Sequence, residues 1–334
     1  MPIQYKGVNF EHNHVREHVG VFDVSHMAQI LVKGEKSFDL IQKITTNELS
    51  KLIDGKVQYS CMLNADGGII DDLLVYRFNV NSYMLVVNAA NTDKDINWIH
   101  SCNDMGVEVI NITAERGLLA VQGPKTNAIL QKLTDLDLSD IPYYSFRIGK
   151  IANCNNVIIS NTGYTGSGGF ELYVAKEEAS TLWKNLFSYN DFIEPIGLAA
   201  RDTLRLEMGY CLYGNDINEN RTPIEAGLSW IVSRKKTFIG HDVVKKQLLT
   251  GCDECLVGFV LNERGIPRKG YQILNNQNVI IGEVTSGSMS PFLKTGFGMG
   301  YVHQNESKID TNVFISIRDK KISAKIVKLP FYEK

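Results

Sequence analysis

Asn64-Ala65-Asp66-Gly67-Gly68-Ile69-Ile70-Asp71-Asp72-Leu73 is the stretch from which the fold reads outward. Its first five residues are turn formers: Asn and Asp tolerate a left-handed backbone, and Gly adopts one without steric cost. On either side, residues 57–63 and 69–78 alternate well enough to be paired strands, and with this turn between them the segment reads as a β-hairpin. A second hairpin turns at Asn79-Val80-Asn81-Ser82, with its return strand from Tyr83 to Asn88. Side chains alternate across a strand, so the adjacent carboxylates of Asp71 and Asp72 must leave it on opposite faces. One can face a site while the other faces water or a partner elsewhere.

Upstream, residues 28–33 read as a strand and 36–46 as an amphipathic helix with Phe38, Leu40, Ile41 and Ile44 as its apolar set. Downstream, a helix is expected from about Thr92 to Ser101, with Asn91 as cap and Ile96 and Ile99 buried. Strands near 107–112 and 117–122 lead to Gly123-Pro124, where proline at a first helical position should open a helix to about Leu133. Strands near 146–151, 156–161 and 169–174 precede helices near 176–188 and 197–208, and Asp242 to Leu249 reads as one more. After Gly251 only strand-like runs remain, at 255–261, 278–285, 297–302 and 312–328, the last with a turn at Arg318-Asp319. The expected class is therefore α+β: a body over 1–250, with one subdomain at roughly 50–135, and an all-β domain over 251–334.

Composition narrows the function classes. The 334 residues suit about two or three domains, and 44% hydrophobic with 22% charged residues is an ordinary globular mix. Basic and acidic residues number 35 and 37, for a net charge of −2, so no cationic excess exists to neutralise a phosphate backbone. No apolar run approaches the ~20 residues that span a bilayer, and no targeting segment is visible, so a cytoplasmic protein is expected. The six cysteines are scattered, as in a reducing compartment. Cys252-Asp253-Glu254-Cys255 lacks the further ligands of a zinc site and reads as a turn before a strand; no metal is expected. His14 and His18, one helical turn apart, and His12 read as a solvated helix face. Gly296-Phe297-Gly298-Met299-Gly300 runs into a strand, not a helix N-terminus, which removes a phosphate-cradling reading.

Several segments are more distinctive than composition. They are Val15-Arg16-Glu17-His18 with Gly20-Val21-Phe22-Asp23-Val24-Ser25-His26-Met27; the hairpin quoted above; Thr162-Gly163-Tyr164-Thr165-Gly166 with Glu171; and Gly197 through Arg201-Asp202-Thr203-Leu204-Arg205-Leu206-Glu207. Leu212-Tyr213-Gly214, Phe238-Ile239-Gly240 and Gly282 through Thr285-Ser286-Gly287 to Ser290-Pro291 complete the set. In this order and over essentially the whole chain they resemble the T proteins of the glycine cleavage system, which are tetrahydrofolate-dependent aminomethyltransferases. Members of that family usually begin upstream of the Met-Pro found here at Met1-Pro2.

The resemblance implies a three-domain cloverleaf around a central folate site, with a barrel-like C-terminal β domain. It implies transfer of a one-carbon unit from the aminomethyl-lipoyl arm of H protein to tetrahydrofolate, with release of ammonia. A monomer is expected, with H protein and folate as partners and neither nucleic acid nor membrane. It puts the catalytic role on Asp72, whose carboxylate would stabilise an iminium-like cation and orient the attacking amine. Glu171 lies between apolar Phe170 and Leu172, so its carboxylate points away from them; the resemblance makes it the acceptor of a pterin's paired N–H donors, a cross-strand surface ion pair being the other reading. Arg201, read by spacing alone as part of a salt-bridged helix with Arg205, Asp202 and Glu207, becomes a ligand contact by the resemblance. Tyr59 and Tyr164 are candidates to pack on folate rings, core packing being the other reading, and Tyr332 matches a family tyrosine near the C-terminus.

Two other functions share this fold. An iron–sulfur maintenance protein would carry a Lys-Gly-Cys-Tyr-type signature, whereas this chain has Ile231-Val232-Ser233-Arg234-Lys235-Lys236-Thr237-Phe238 without cysteine. A folate-dependent demethylase of the sarcosine, dimethylglycine or sulfonium type would use another donor, and the oxidative forms carry a flavin domain for which this chain has no room.

Overall fold

The computed structural model describes residues 1–189, 192–318 and 320–333. They divide into two compact units: Met1–Met62 with Ile70–Arg201 and Lys235–Ile239, and Leu63–Ile69 with Asp202–Arg234 and Gly240–Lys334.

In chain order the elements begin with α1 (Val8–Glu17), β1 (Val19–Asp23), β2 (Ala28–Lys33), α2 (Ser37–Ile44), β3 (Val57–Leu63), β4 (Ile69–Asn79), β5 (Ser82–Val87) and α3 (Thr92–Cys102). They continue with β6 (Glu108–Asn111), β7 (Arg116–Gln122), α4 (Thr126–Leu130), β8 (Phe146–Ile151), β9 (Cys154–Ser160), β10 (Gly169–Ala175), α5 (Lys176–Tyr189), β11 (Ile193–Pro195) and α6 (Leu198–Glu207). One sheet has the order β11-β1-β7-β10-β9-β8 and a second the order β3-β4-β5-β2-β6. In the second, Leu73 and Val75 of β4, Leu85 and Val87 of β5 and Ile30 and Val32 of β2 form one apolar core with Leu40, Ile41 and Ile44 of α2 and Ile99 of α3. Alternation puts Asp71 on this helix-covered face, and Asp72 on the other with Leu74 and Tyr76.

The start of the chain is bound into the first unit by a buried acid. Glu11 of α1 accepts the backbone N–H groups of Tyr5, Lys6 and Gly7 at Oε1 (2.6, 2.8 and 3.1 Å) and that of Gly197 at Oε2 (2.7 Å). The carbonyls of Pro2 and Ile3 accept from Leu198 and Ala199 (3.1 and 3.0 Å), satisfying donors that the first turn of α6 leaves open.

In the second unit the Asn64–Gly68 turn is closed by its own asparagine, whose Oδ1 accepts from the N–H of Asp66 and of Gly68 (3.0 and 2.9 Å). A side chain on Gly68 would collide with the Glu219 carbonyl, so this glycine is required by close backbone approach. After α7 (His241–Thr250), six strands close a barrel in the order β12-β15-β14-β13-β16-β17. These are β12 (Glu254–Leu261), β13 (Gln272–Leu274), β14 (Ile280–Met289), β15 (Gly296–His303), β16 (Asn312–Ile317) and β17 (Lys320–Val327). Phe259, Ile273, Val284, Val302, Ile315 and Ile326 fill its interior. Closure leaves no exposed sheet edge. The glycine-spaced run at 296–300 lies in β15, where a side chain on Gly298 would strike the Ser286 carbonyl.

The α+β reading and the terminal β unit hold, and three local readings change. Asn91 makes no cap hydrogen bond to α3; its side chain is used elsewhere. Pro124 lies in the turn ahead of α4, which begins at Thr126 and tightens into a 3₁₀ turn at Gln131–Leu133. His12 is buried rather than solvated, while His14 and His18 are partly exposed and form a ring cluster with Phe10 and Phe192. The turn read at Arg318-Asp319 falls partly on Asp319, outside the described residues. Among the described residues no helix is long and apolar enough to cross a membrane.

Candidate active site

The two adjacent aspartates are held by one amide. Antiparallel register pairs Leu74 of β4 with Val86 of β5, so two residues further on Asp72 comes opposite Asn88. The Asn88 Nδ2 group donates to Asp71 Oδ1 and to Asp72 Oδ1, each at 2.8 Å. Asp72 Oδ2 accepts from the Tyr59 hydroxyl of neighbouring β3 at 2.9 Å. Asp71 is fully buried and also accepts the Asn88 backbone N–H (2.9 Å) and Asn91 Nδ2 (2.6 Å). Asp72 keeps part of its surface.

The electrostatics follow from this packing. Burial, reinforced by the charge of Asp71, lifts the Asp72 carboxyl to about 7 against the opposing bonds from Tyr59 and Asn88. A carboxyl poised there exchanges its charge near neutral pH, as a group that handles a proton or a transient cation requires. Burial also raises Asp71, while its bonds with Asp95, Asn88 and Asn91 hold it down.

On the Asp72 face of β4, Tyr76 begins a second chain of contacts. Its hydroxyl meets those of Tyr173 (2.9 Å), Ser160 (3.0 Å) and Thr162 (3.3 Å), and Thr162 donates to Glu171 Oε2 at 2.5 Å. Phe170, Leu172 and Val174 of β10 belong to the core cluster, and Glu171 points to the other face, as its alternation requires. Burial raises the Glu171 carboxyl, with Thr162 and the charge of Arg201 opposing. Among the described residues Oε1 of Glu171 has no protein hydrogen-bond partner. Arg201, in the first turn of α6, lays its guanidinium over the Tyr164 ring at 4.7 Å from the centroid. His26 is held below its usual range by burial and by the charge of Arg201.

Thus Tyr59 joins Asp72, and Arg201 links Tyr164 with Glu171, as two sets within the first unit. On the same helix Arg205 makes salt bridges to Asp202 and Asp216. Tyr332 lies in the second unit, where its N–H donates to the Glu207 carbonyl (3.1 Å) and its ring stands edge-on to Phe292. Sequence reasoning missed Asn88, Tyr76, Thr162 and Tyr173. Simple counting back from the 79–82 turn would set Ala89 across from Asp72; a bulge between Arg77 and Asn79 shifts the register by one and brings Asn88 there instead.

Comparison with known proteins bears on the whole chain. Residues 1–236 match the GCVT N-terminal domain, and residues 255–333 match the glycine cleavage T-protein C-terminal barrel domain. The aminomethyltransferase of Flavobacterium psychrophilum is 53% identical, over 100% of this chain and 93% of that protein. That of Bacteroides thetaiotaomicron is 52% identical over 99% of this chain and 93% of its own length. The crystal structure of glycine cleavage system aminomethyltransferase T from Bartonella henselae gives a TM-score of 0.93 at 36% identity, over 99% of this chain and 91% of that one. Two matched domains, relatives at half identity along nearly the full length and a shared fold agree: the chain belongs to the glycine cleavage T-protein family of aminomethyltransferases.

Proposed function

We propose that the chain transfers the one-carbon unit of an aminomethyl group on the lipoyl arm of H protein to tetrahydrofolate, releasing ammonia and forming methylenetetrahydrofolate. The observation that carries this reading is Asp72: a carboxylate fixed at both oxygens, lifted to about 7 and still partly open to solvent. As an anion it stabilises the positive charge that develops when the aminomethyl donor loses its sulfur bond, and it orients the incoming amine. Tetrahydrofolate, when bound, supplies that amine.

The residues present fit such a ligand. Glu171, a mostly buried side chain, offers an accessible carboxylate oxygen without a protein donor, which suits the paired N–H groups of a pterin. Its other oxygen is held by Thr162, so the acid is oriented before any ligand arrives. Arg201 and Tyr164 present a cationic and aromatic surface for the amide and ring of the same ligand, and Tyr59 combines a ring with a hydroxyl already committed to Asp72. For Tyr332 the support is the family resemblance alone.

The test is ammonia release from purified protein, aminomethylated lipoyl H protein and tetrahydrofolate. Turnover supports the proposal; failure with H protein alongside turnover of sarcosine, dimethylglycine or a sulfonium donor would remove it.

A further inference from the structure

We propose that Asp95 keeps its proton at neutral pH and, by donating it to Asp71, locks the Asn88 amide that orients Asp72. Asp95 is thus a positioning residue, and the inference rests on the catalytic role given to Asp72 above. Asp95 lies in the first turns of α3 and is fully buried. Its carboxyl meets that of Asp71, and among the described residues neither of its oxygens finds an N–H or hydroxyl donor. Two carboxylates cannot be sealed together in this way unless a proton lies between them.

The location of the proton follows from the surrounding donors. Asp71 accepts the backbone N–H and Nδ2 of Asn88 and Nδ2 of Asn91, all of which favour its charged form. Asp95 has no such support, so it is the acid and Asp71 the acceptor. The same conclusion follows from burial and the neighbouring Asp71 charge, which push Asp95 up to about 10, with Lys94 on the same helix opposing. From the sheet, Asp72 also acts on Asp95, while Tyr59 bonds Asp72. Lys43 of α2 is engaged by Asp104 and the Cys102 carbonyl, and Glu108 of β6 is exposed.

A charged, immobile Asp71 has a consequence one bond away. It accepts from both the backbone and the side chain of Asn88, which fixes the amide with Nδ2 toward the two aspartates. The second hydrogen of that group is then directed at Asp72 Oδ1. The order of action is Asp95, Asp71, Asn88, Asp72, and only the last touches the reacting atoms.

Two substitutions separate this from a packing role. Asp95→Asn retains a donor toward Asp71 and should keep kcat within about three-fold of the unaltered enzyme. Asp95→Leu retains volume without a donor and should lower kcat by roughly ten-fold or more with KM for folate nearly unchanged. Infrared difference spectra between the unaltered protein and Asp95→Asn, at about pH 8.5 where Asp72 is ionised, should contain the C=O stretch of a neutral carboxyl. Absence of that band overturns the proton, and equal losses for Asn and Leu, or none for either, overturn the positioning role. The infrared measurement requires neither H protein nor folate, so its outcome holds whatever the donor of the reaction proves to be.

Discussion

Two buried polar clusters of this protein differ in one respect that decides what each can do. In the second unit the guanidinium of Arg205, 1% exposed, bonds Asp216 (2.7 Å), Asp202 (2.8 Å), the Ser286 hydroxyl (2.9 Å) and the Tyr210 carbonyl (3.0 Å). Asp216, itself fully buried, also receives the Leu212 N–H and the hydroxyls of Thr285 and Ser286. Charge balances within the fully buried Arg205–Asp216 pair, while Asp202 is half exposed. In the first unit Asp71, Asp72 and Asp95 are gathered with asparagines and a tyrosine, and no guanidinium or ammonium is bonded to them among the described residues. The excess negative charge is relieved by raised pKa values instead. A balanced cluster holds a fold together, whereas an unbalanced one stores a proton that chemistry can use.

The comparison can be broken most sharply at its two centres. Asp72→Asn should cut turnover by roughly 10²–10⁴-fold while leaving folate affinity within a few-fold, measured by steady-state kinetics and calorimetry. Arg205→Met should cost about 3–5 kcal/mol of stability in denaturant titration, because it strands Asp216 without its counter-ion. A loss under about 1 kcal/mol there would mean that the balance is unimportant. Glu171→Ala should weaken folate binding by roughly ten- to a hundred-fold, the scale of a lost charge-assisted pair, and unchanged affinity in calorimetry would exclude the pterin role.

Two smaller effects sharpen the same contrast through pH. If ionised Asp72 is the working form, kcat/KM should rise with pH through a midpoint of about 7, and a profile flat from about pH 5 to 9 would contradict that. Asp95 has a folded-state pKa raised to about 10 from an unfolded value near 4, so its stabilising contribution is full below about pH 4 and declines as pH rises toward 10. Asp95→Asn has no such decline. Its melting temperature should therefore gain on that of the unaltered protein as pH increases across this window.

Much of the architecture was legible because local chemistry and tertiary structure agree. The Asn64–Gly68 turn, the opposite faces of Asp71 and Asp72 and the placing of Glu171 on the face opposite Phe170 and Leu172 all follow from strand geometry and turn residues. The terminal strands were legible by character, including the two on either side of residues 318–319, although Gln272–Leu274 is too short to show a period. What escaped were residues whose partners are distant in sequence. Asn91 reads as a cap, and Asp95 drew no reading at all. The cap reading fails because β4 brings Asp71 under α3, and nothing local to residues 91–95 announces a carboxylate from residue 71.

The clasp made by Glu11 has a practical consequence at the other end of that unit. Because Pro2 and Ile3 plug the helix that bears Arg201, the opening residues act as a stopper, not a loose thread. An affinity handle fused directly to Met1 would pull on the carbonyls that satisfy the first turn of α6, the same turn that holds Arg201 over Tyr164.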